Sequence, residues 1–200
     1  LPASEVMRLR LRQGRGLFGV EIKITDDEDK ELPWDGHTFG ALKVRGPWVC
    51  MDYYRSDPDA SPTLDTDGWF NTGDIATIDA DGFMLITDRS KDVIKSGGEW
   101  ISSIELENTA VNHPGVLEAA VIGVSHPKWS ERPLLLVIKK ADAELSKQDM
   151  LAWFEGKVAS WWVPDAVEFV TELPHTATGK LQKRALRELY VDYVLPQTPE

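Results

Sequence analysis

Apolar and polar residues alternate along the first part of the chain and gather into longer apolar blocks along the second. Val20, Ile22 and Ile24 alternate with Glu21 and Lys23, the period of a strand with one buried face. Leu42 and Val44 repeat that period over residues 40–45. Residues 75–78 and 83–87 flank Asp79-Ala80-Asp81-Gly82 and predict a hairpin, with Gly82 taking a positive φ at the turn. Residues 3–13 predict a short helix ended by Gly14-Arg15-Gly16. Asp26-Asp27-Glu28-Asp29 predicts a solvated acidic turn, and residues 56–67, rich in Asp, Pro and Ser, a surface loop. The first 87 residues therefore predict a mainly β unit.

The pattern changes after Asp88. Residues 93–95 predict a short strand, and Ser102 with Glu105 has capping-box spacing that opens a helix to about residue 112. His113-Pro114-Gly115 stops it. Residues 117–124 and 134–139 predict two apolar strands joined by a charged loop. Ser146 with Asp149 opens a second helix to about residue 160, residues 166–170 predict a strand, and residues 181–193 a last helix. Strands and helices interleave, so the fold class is α+β: a β-rich unit over residues 1–88, then a small α+β domain over residues 89–200.

Composition narrows the functions. With 200 residues and 42% hydrophobic content, the chain can build a sizeable core. A net charge of −11 argues against a nucleic-acid binder, which carries a basic footprint. The single cysteine, Cys50, excludes an internal disulfide and fits a reducing cytoplasm. No apolar run approaches the roughly 18 residues of a spanning helix. No signal peptide is visible, since arginines at 8, 10, 12 and 15 interrupt the first segment. Trp48, Trp161 and Trp162 predict anchors in apolar contacts, with a ligand groove as the alternative. The four histidines show no metal-ligand spacing with Cys50.

Three segments can carry chemistry. Gly68-Trp69-Phe70-Asn71-Thr72-Gly73-Asp74 reads as a loop ending in an acid just before a strand. That carboxylate can accept both hydroxyls of a ribose diol, or can satisfy nearby backbone amides. Asp88-Arg89-Ser90-Lys91-Asp92 packs charges too densely for a core and leads to Gly97-Gly98-Glu99-Trp100. Arg89 offers a planar fork of donors to a nucleotide, or a surface salt bridge to Asp88 or Asp92. Gly97 and Gly98 can line a narrow channel or form an ordinary turn. The third segment, Pro174-His175-Thr176-Ala177-Thr178-Gly179-Lys180, can place a point charge on a phosphate, although it lacks the pattern of a P-loop. Lys183, Arg184 and Arg187 then predict a basic helix face, either solvated or turned to the phosphates of a nucleotide-like ligand.

In this order the segments closely resemble the C-terminal part of the AMP-forming acyl-CoA synthetases, members of the adenylate-forming superfamily. The resemblance covers essentially the whole chain. Residues 36–54 are similar to the family's strand-Arg-Gly-Pro segment, residues 69–74 to its Thr-Gly-Asp motif, and residues 88–107 to its hinge motif. Residues 173–180 are similar to its Pro-x-x-x-x-Gly-Lys motif. The wording Ser96-Gly97-Gly98-Glu99-Trp100-Ile101-Ser102-Ser103, with His126-Pro127-Lys128-Trp129 and Glu131-Arg132-Pro133 later, most resembles medium- to long-chain fatty-acid CoA ligases.

The resemblance implies a two-step reaction. A carboxylate attacks the α-phosphate of ATP to give acyl-AMP and pyrophosphate, and the thiol of CoA then takes the acyl group and releases AMP. It implies that Asp74 and Arg89 hold the ribose of ATP or AMP and that Lys180 acts in adenylation. It further implies that Lys91 is the hinge of a mobile lid, and that Gly97, Gly98, Glu99 and Trp100 line the path of the CoA pantetheine. Lys91 stands where many relatives have Asp and others Lys. Lys180 is also implied as a target of regulatory acetylation, which would remove its charge. The family's phosphate loop, its Mg2+ ligand and its acyl pocket are missing, so Mg2+ is expected through residues upstream. The chain alone is expected to have no ligase activity. A homo-oligomer is left open. The alternatives are another adenylate-forming ligase, aryl-acid or luciferase-like, or a non-catalytic nucleotide-binding module.

Overall fold

A computed structural model describes residues 1–53 and 63–196. The chain divides into two compact units, Leu1–Lys91 and Asp92–Glu200. Both carry largely antiparallel sheets with helices, an α+β fold.

The first unit holds α1 (Ala3–Arg10), β1 (Glu21–Thr25), β2 (Gly40–Arg45), β3 (Phe70–Ile78) and β4 (Met84–Arg89). The strands form one sheet in the order β1-β2-β3-β4, every pair antiparallel. Ile24, Leu42, Ala76 and Ile78 form its core, with Ile22, Val44, Met84 and Ile86 packed around them. Helix α1 stops short of the predicted residue 13. Gln13 is taken by the sheet instead: its amide donates to the Met84 carbonyl at 3.1 Å, and its Oε1 accepts from the Ile86 amide at 2.6 Å. The predicted hairpin forms between β3 and β4. The Asp79 carboxylate holds its turn by accepting from the Asp81 and Phe83 amides, with Gly82 at φ 82°. The acidic turn is ordered by Asp26, whose carboxylate accepts from the Glu28 and Lys30 amides. Most of the predicted loop over residues 56–67 lies outside the described residues.

The second unit holds β5 (Ile94–Ser96), β6 (Glu99–Ile101), α2 (Ser103–Val111), β7 (Val116–His126), β8 (Ser130–Lys139), α3 (Lys147–Phe154), β9 (Ala166–Phe169) and α4 (Lys183–Leu189). β8 is the centre of its sheet. β7 runs antiparallel along one side, and β5 and the parallel β9 pair with the other. Apolar residues occupy both faces of β7 and β8, as expected of strands covered on both sides. Ala120, Ile122, Val124, Leu134 and Leu136 pack with Leu186 of α4. Their alternates Val121, Leu135 and Val137 are also fully buried. β7 and β8 extend beyond the predicted strands, so Glu131 and Arg132, expected in a charged loop, lie on β8.

Capping acts as the sequence spacing predicts, but the helices are short. Ser102 Oγ accepts from the Glu105 amide at 3.2 Å. Ser146 and Asp149 form the full reciprocal box at the start of α3. α3 ends at Phe154 rather than near residue 160, because Gly156 takes φ 70° and a separate 3₁₀ turn follows at Ser160–Trp162. α4 likewise covers only the middle of residues 181–193. Hydrogen bonds from Ser146 hold the Asp149 carboxyl below its ordinary range. A depressed carboxylate stabilises the fold above its unfolded value, and the contribution is lost as pH falls through its folded value. Ser146→Ala is therefore expected to lower the thermal midpoint at pH 7, with the deficit shrinking in acid. Melts of both proteins across pH 2–7 check this.

The tryptophans divide. Trp162 is buried, but Trp48 is 75% exposed and Trp161 43% exposed, so neither of these is the apolar anchor expected.

Candidate functional site

Asp74 does not end a loop; it lies within β3. Three residues of β2, Ala41 to Lys43, face five of β3, Asn71 to Ile75, so β3 bulges there. Gly73 makes the bulge with φ 73°. Asp74 then falls directly opposite Arg89 at the end of β4. Arg89 Nε lies 3.0 Å from Asp74 Oδ1, with the arginine side chain 59% exposed. The guanidinium is fixed on one edge while most of its length stays in solvent. Neither Asp88 nor Asp92 takes this role. Asp88 is buried and accepts from the Arg89 amide, and Asp92 pairs with Arg187.

The segment between Gly97 and Trp100 is a hairpin rather than a lone turn before a helix. β5 and β6 pair from Ile94↔Ile101 to Ser96↔Glu99. Gly97 and Gly98 form the two-residue loop with φ 60° and 88°, the left-handed pair such a turn requires. The Gly97 amide donates to the Trp129 carbonyl at 2.9 Å. A Cβ on Gly97 would lie 2.8 Å from the Trp129 ring. Glu131 Oε2 accepts from the Lys95 amide at 3.0 Å. His126 Nδ1 accepts from the Lys128 and Trp129 amides and sets the turn that presents Trp129. The sequence singled out the glycines and the segment holding Trp129 separately, but nothing in it laid the tryptophan against them, since it lies thirty-odd residues away along the chain.

Lys180 sits on a tight turn. The Thr176 amide donates to the Lys180 carbonyl at 2.8 Å, Gly179 donates to the Thr176 carbonyl, and Thr176 Oγ1 accepts from the Lys180 amide. Gly179 has φ 79°. The lysine side chain is exposed and makes no ion pair among the described residues. His175 anchors the turn to β7 through Glu118, 2.6 Å from Nε2.

The basic face predicted after Lys180 does not exist as a face. Lys183 is buried, 2.7 Å from Glu107 Oε1 and 2.6 Å from Ser103 Oγ. Arg184 pairs with Glu188 and Arg187 with Asp92. Helical spacing showed the charges but not the acids waiting for them. Lys91 is exposed and is the last residue of the first unit. Among the described residues no cluster of acids, histidines and cysteine could hold a metal ion. Among the described residues no helix is long and apolar enough to cross a membrane.

Residues 105–180 match the AMP-binding enzyme C-terminal domain, and the chain carries that domain. Over nearly its whole length it is homologous to CoA ligases. It is 56% identical to the 3-methylmercaptopropionyl-CoA ligase of Ruegeria lacuscaerulensis over 96% of this chain and 35% of that protein. It is 53% identical to the medium-chain-fatty-acid–CoA ligase of Ectopseudomonas oleovorans over 98% of this chain and 35% of that protein. More distant relatives are named for trans-cinnamate and acetate. ATP-bound MatB from Rhodopseudomonas palustris has the same fold, with TM-score 0.78 and 35% identity over 91% of this chain and 36% of that one. The chain thus spans about a third of the length of the curated relatives it matches.

Proposed function

We propose that this chain is the C-terminal part of an ATP-dependent acyl-CoA ligase, with a fatty acid as the carboxylate substrate. The observation that carries the proposal is the Asp74–Arg89 pair, set 3.0 Å apart by the β3 bulge. A carboxylate that still has acceptor capacity beside an exposed guanidinium suits the two adjacent hydroxyls of a ribose. The fatty-acid ligase among the relatives supports the substrate class. The exposed free thiol of Cys50 suits a reducing, cytoplasmic setting.

In this reading Asp74 and Arg89 hold the ribose of ATP and then of AMP. Lys180, carried on its Thr/Gly turn, brings a positive charge between the substrate carboxylate and the α-phosphate, two groups that repel each other. Its charge offsets the negative charge that builds as the new bond forms and pyrophosphate leaves. The product, a mixed anhydride, is a good acyl donor where the free carboxylate is a poor one. Gly97 and Gly98 carry no side chains, so the hairpin tip can lie beside the pantetheine arm as the CoA thiol attacks, with Glu99 and Trp100 on its return strand. Lys91 is the hinge between the units, the first belonging to a larger domain and the second forming its lid. Mg2+ would be held by residues outside this chain.

Arg89→Ala in the full-length ligase tests the reading. Losing a charged hydrogen-bonding group is expected to raise the KM for ATP by about 10–100-fold. An unchanged KM for ATP would remove the Asp74–Arg89 pair from the nucleotide site. A panel of fatty, aryl and short carboxylic acids, assayed for thioester formation, then decides the substrate class.

A further inference from the structure

One guanidinium ties the β5–β6 hairpin to a segment of chain far from it in sequence. Arg132, on β8, is nearly buried, its side chain 12% exposed. Its Nε donates to Asp165 Oδ1 at 2.8 Å, and Nη2 lies 2.6 Å from the same oxygen. Nη1 donates to Ser96 Oγ at 3.1 Å and to the Trp161 carbonyl at 2.8 Å, and Nη2 donates to the Val163 carbonyl at 3.1 Å. Ser96 immediately precedes the Gly97-Gly98 loop. The planar fork therefore fixes the strand residue that enters the loop against the chain that follows α3, and Asp165 neutralises its charge. Only arginine offers donors to a carboxylate, a hydroxyl and two carbonyls from one rigid plane. From the other direction Trp129 lies on Gly97 and accepts from its amide. Short as it is, the hairpin is held at its tip by Trp129 and one residue before the loop by Arg132.

We propose that Arg132 is a positioning residue for thioester formation: it sets where the Gly97-Gly98 tip lies relative to the incoming thiol. This rests on the reading that the hairpin lines the path of CoA. Adenylation uses Lys180, whose turn is hydrogen-bonded within itself and to Glu118 rather than to Arg132, so the two half-reactions should respond differently.

The test is made in the full-length ligase, with acyl-adenylate formation followed by pyrophosphate exchange and thioester formation followed from preformed acyl-AMP and CoA. Arg132→Gln is expected to slow the thioester step by about 10–100-fold, the scale of an ångström-sized misplacement, with pyrophosphate exchange nearly unchanged. Arg132→Lys should restore little, because a point charge cannot serve four acceptors. Ser96→Ala removes only the link to the hairpin and should give a smaller loss in the same step; it carries the test if Arg132→Gln folds poorly. Equal losses in both half-reactions would show a purely structural role and overturn the proposal, as would an unaffected thioester step. Gly97→Ala, which drives a methyl into Trp129, separates the two readings. If it slows thioester formation while the Arg132 and Ser96 variants do not, the proposal fails and the hairpin reading stands. If it too leaves that step unchanged, the hairpin reading falls and takes the proposal with it.

Discussion

Replacing Lys180 with alanine in the full-length ligase is expected to slow acyl-adenylate formation by on the order of 10²–10³, the usual cost of removing one preorganised group that stabilises developing charge. Thioester formation from preformed acyl-AMP should stay close to the wild-type rate, because by then the carboxylate and phosphate have already been joined. The prediction follows from the local build of the turn. Hydrogen bonds among Thr176, Gly179 and Lys180 fix the backbone, while the ammonium stays exposed with no ion pair among the described residues. Lys180→Gln, which keeps length and polarity but not charge, should resemble alanine; it also mimics acetylation of this side chain. Equal loss of both half-reactions would mean that Lys180 supports the fold, and normal pyrophosphate exchange in the alanine variant would remove it from adenylation.

The second large effect concerns stability, at a lysine three positions further on. β7 has a strand partner along only one side among the described residues, so its other edge presents open amides. Glu107 of α2 closes one of them by accepting from the Val121 amide at 2.8 Å. Lys183 reaches the same carboxylate oxygen from α4. The ion pair thus joins α2 and α4 at the sheet edge. Breaking a buried pair from one side leaves the other charge uncompensated, so Lys183→Met is expected to cost about 3–5 kcal/mol in chemical denaturation. The double variant with Glu107→Gln, in which the remaining group is neutral and can still accept from Val121, should recover much of that loss. A single-variant cost below about 1 kcal/mol, the scale of an exposed pair, would show that the pair does little for stability.

Much of the fold could be read from period-two alternation and from caps. β2 was predicted to its ends, and Ser102 and Ser146 mark the true helix starts. Helix ends were less legible, since only Gly156 in its left-handed conformation signals the early stop of α3. Strand β3 began earlier than its apolar residues, because a bulge at Gly73 interrupts the alternation that marks a strand. The candidate site was legible as motifs but not as partnerships. Asp74 and Arg89 were each singled out, and their 3.0 Å contact depends on cross-strand register that no local spacing encodes. Lys183 and Arg187 read as solvated charges because Glu107 and Asp92 lie some 75 to 95 positions away in sequence. Arg132 read as part of a charged loop for the same reason.

The junction between the units is shorter than its sequence of charges implies. On one side the Ser90 amide is still bonded to the Gly73 carbonyl at 2.9 Å, so the chain remains stitched to β3. On the other, Asp92 is already clamped by Arg187 at 2.7 Å. Lys91 alone stands between these two anchors. A single residue brings roughly two soft torsions. A reorientation of the kind the hinge reading requires would therefore be confined to a swivel about those torsions and the ones flanking them. The travel of the second unit would be set by the Ramachandran limits of Lys91 and its immediate neighbours.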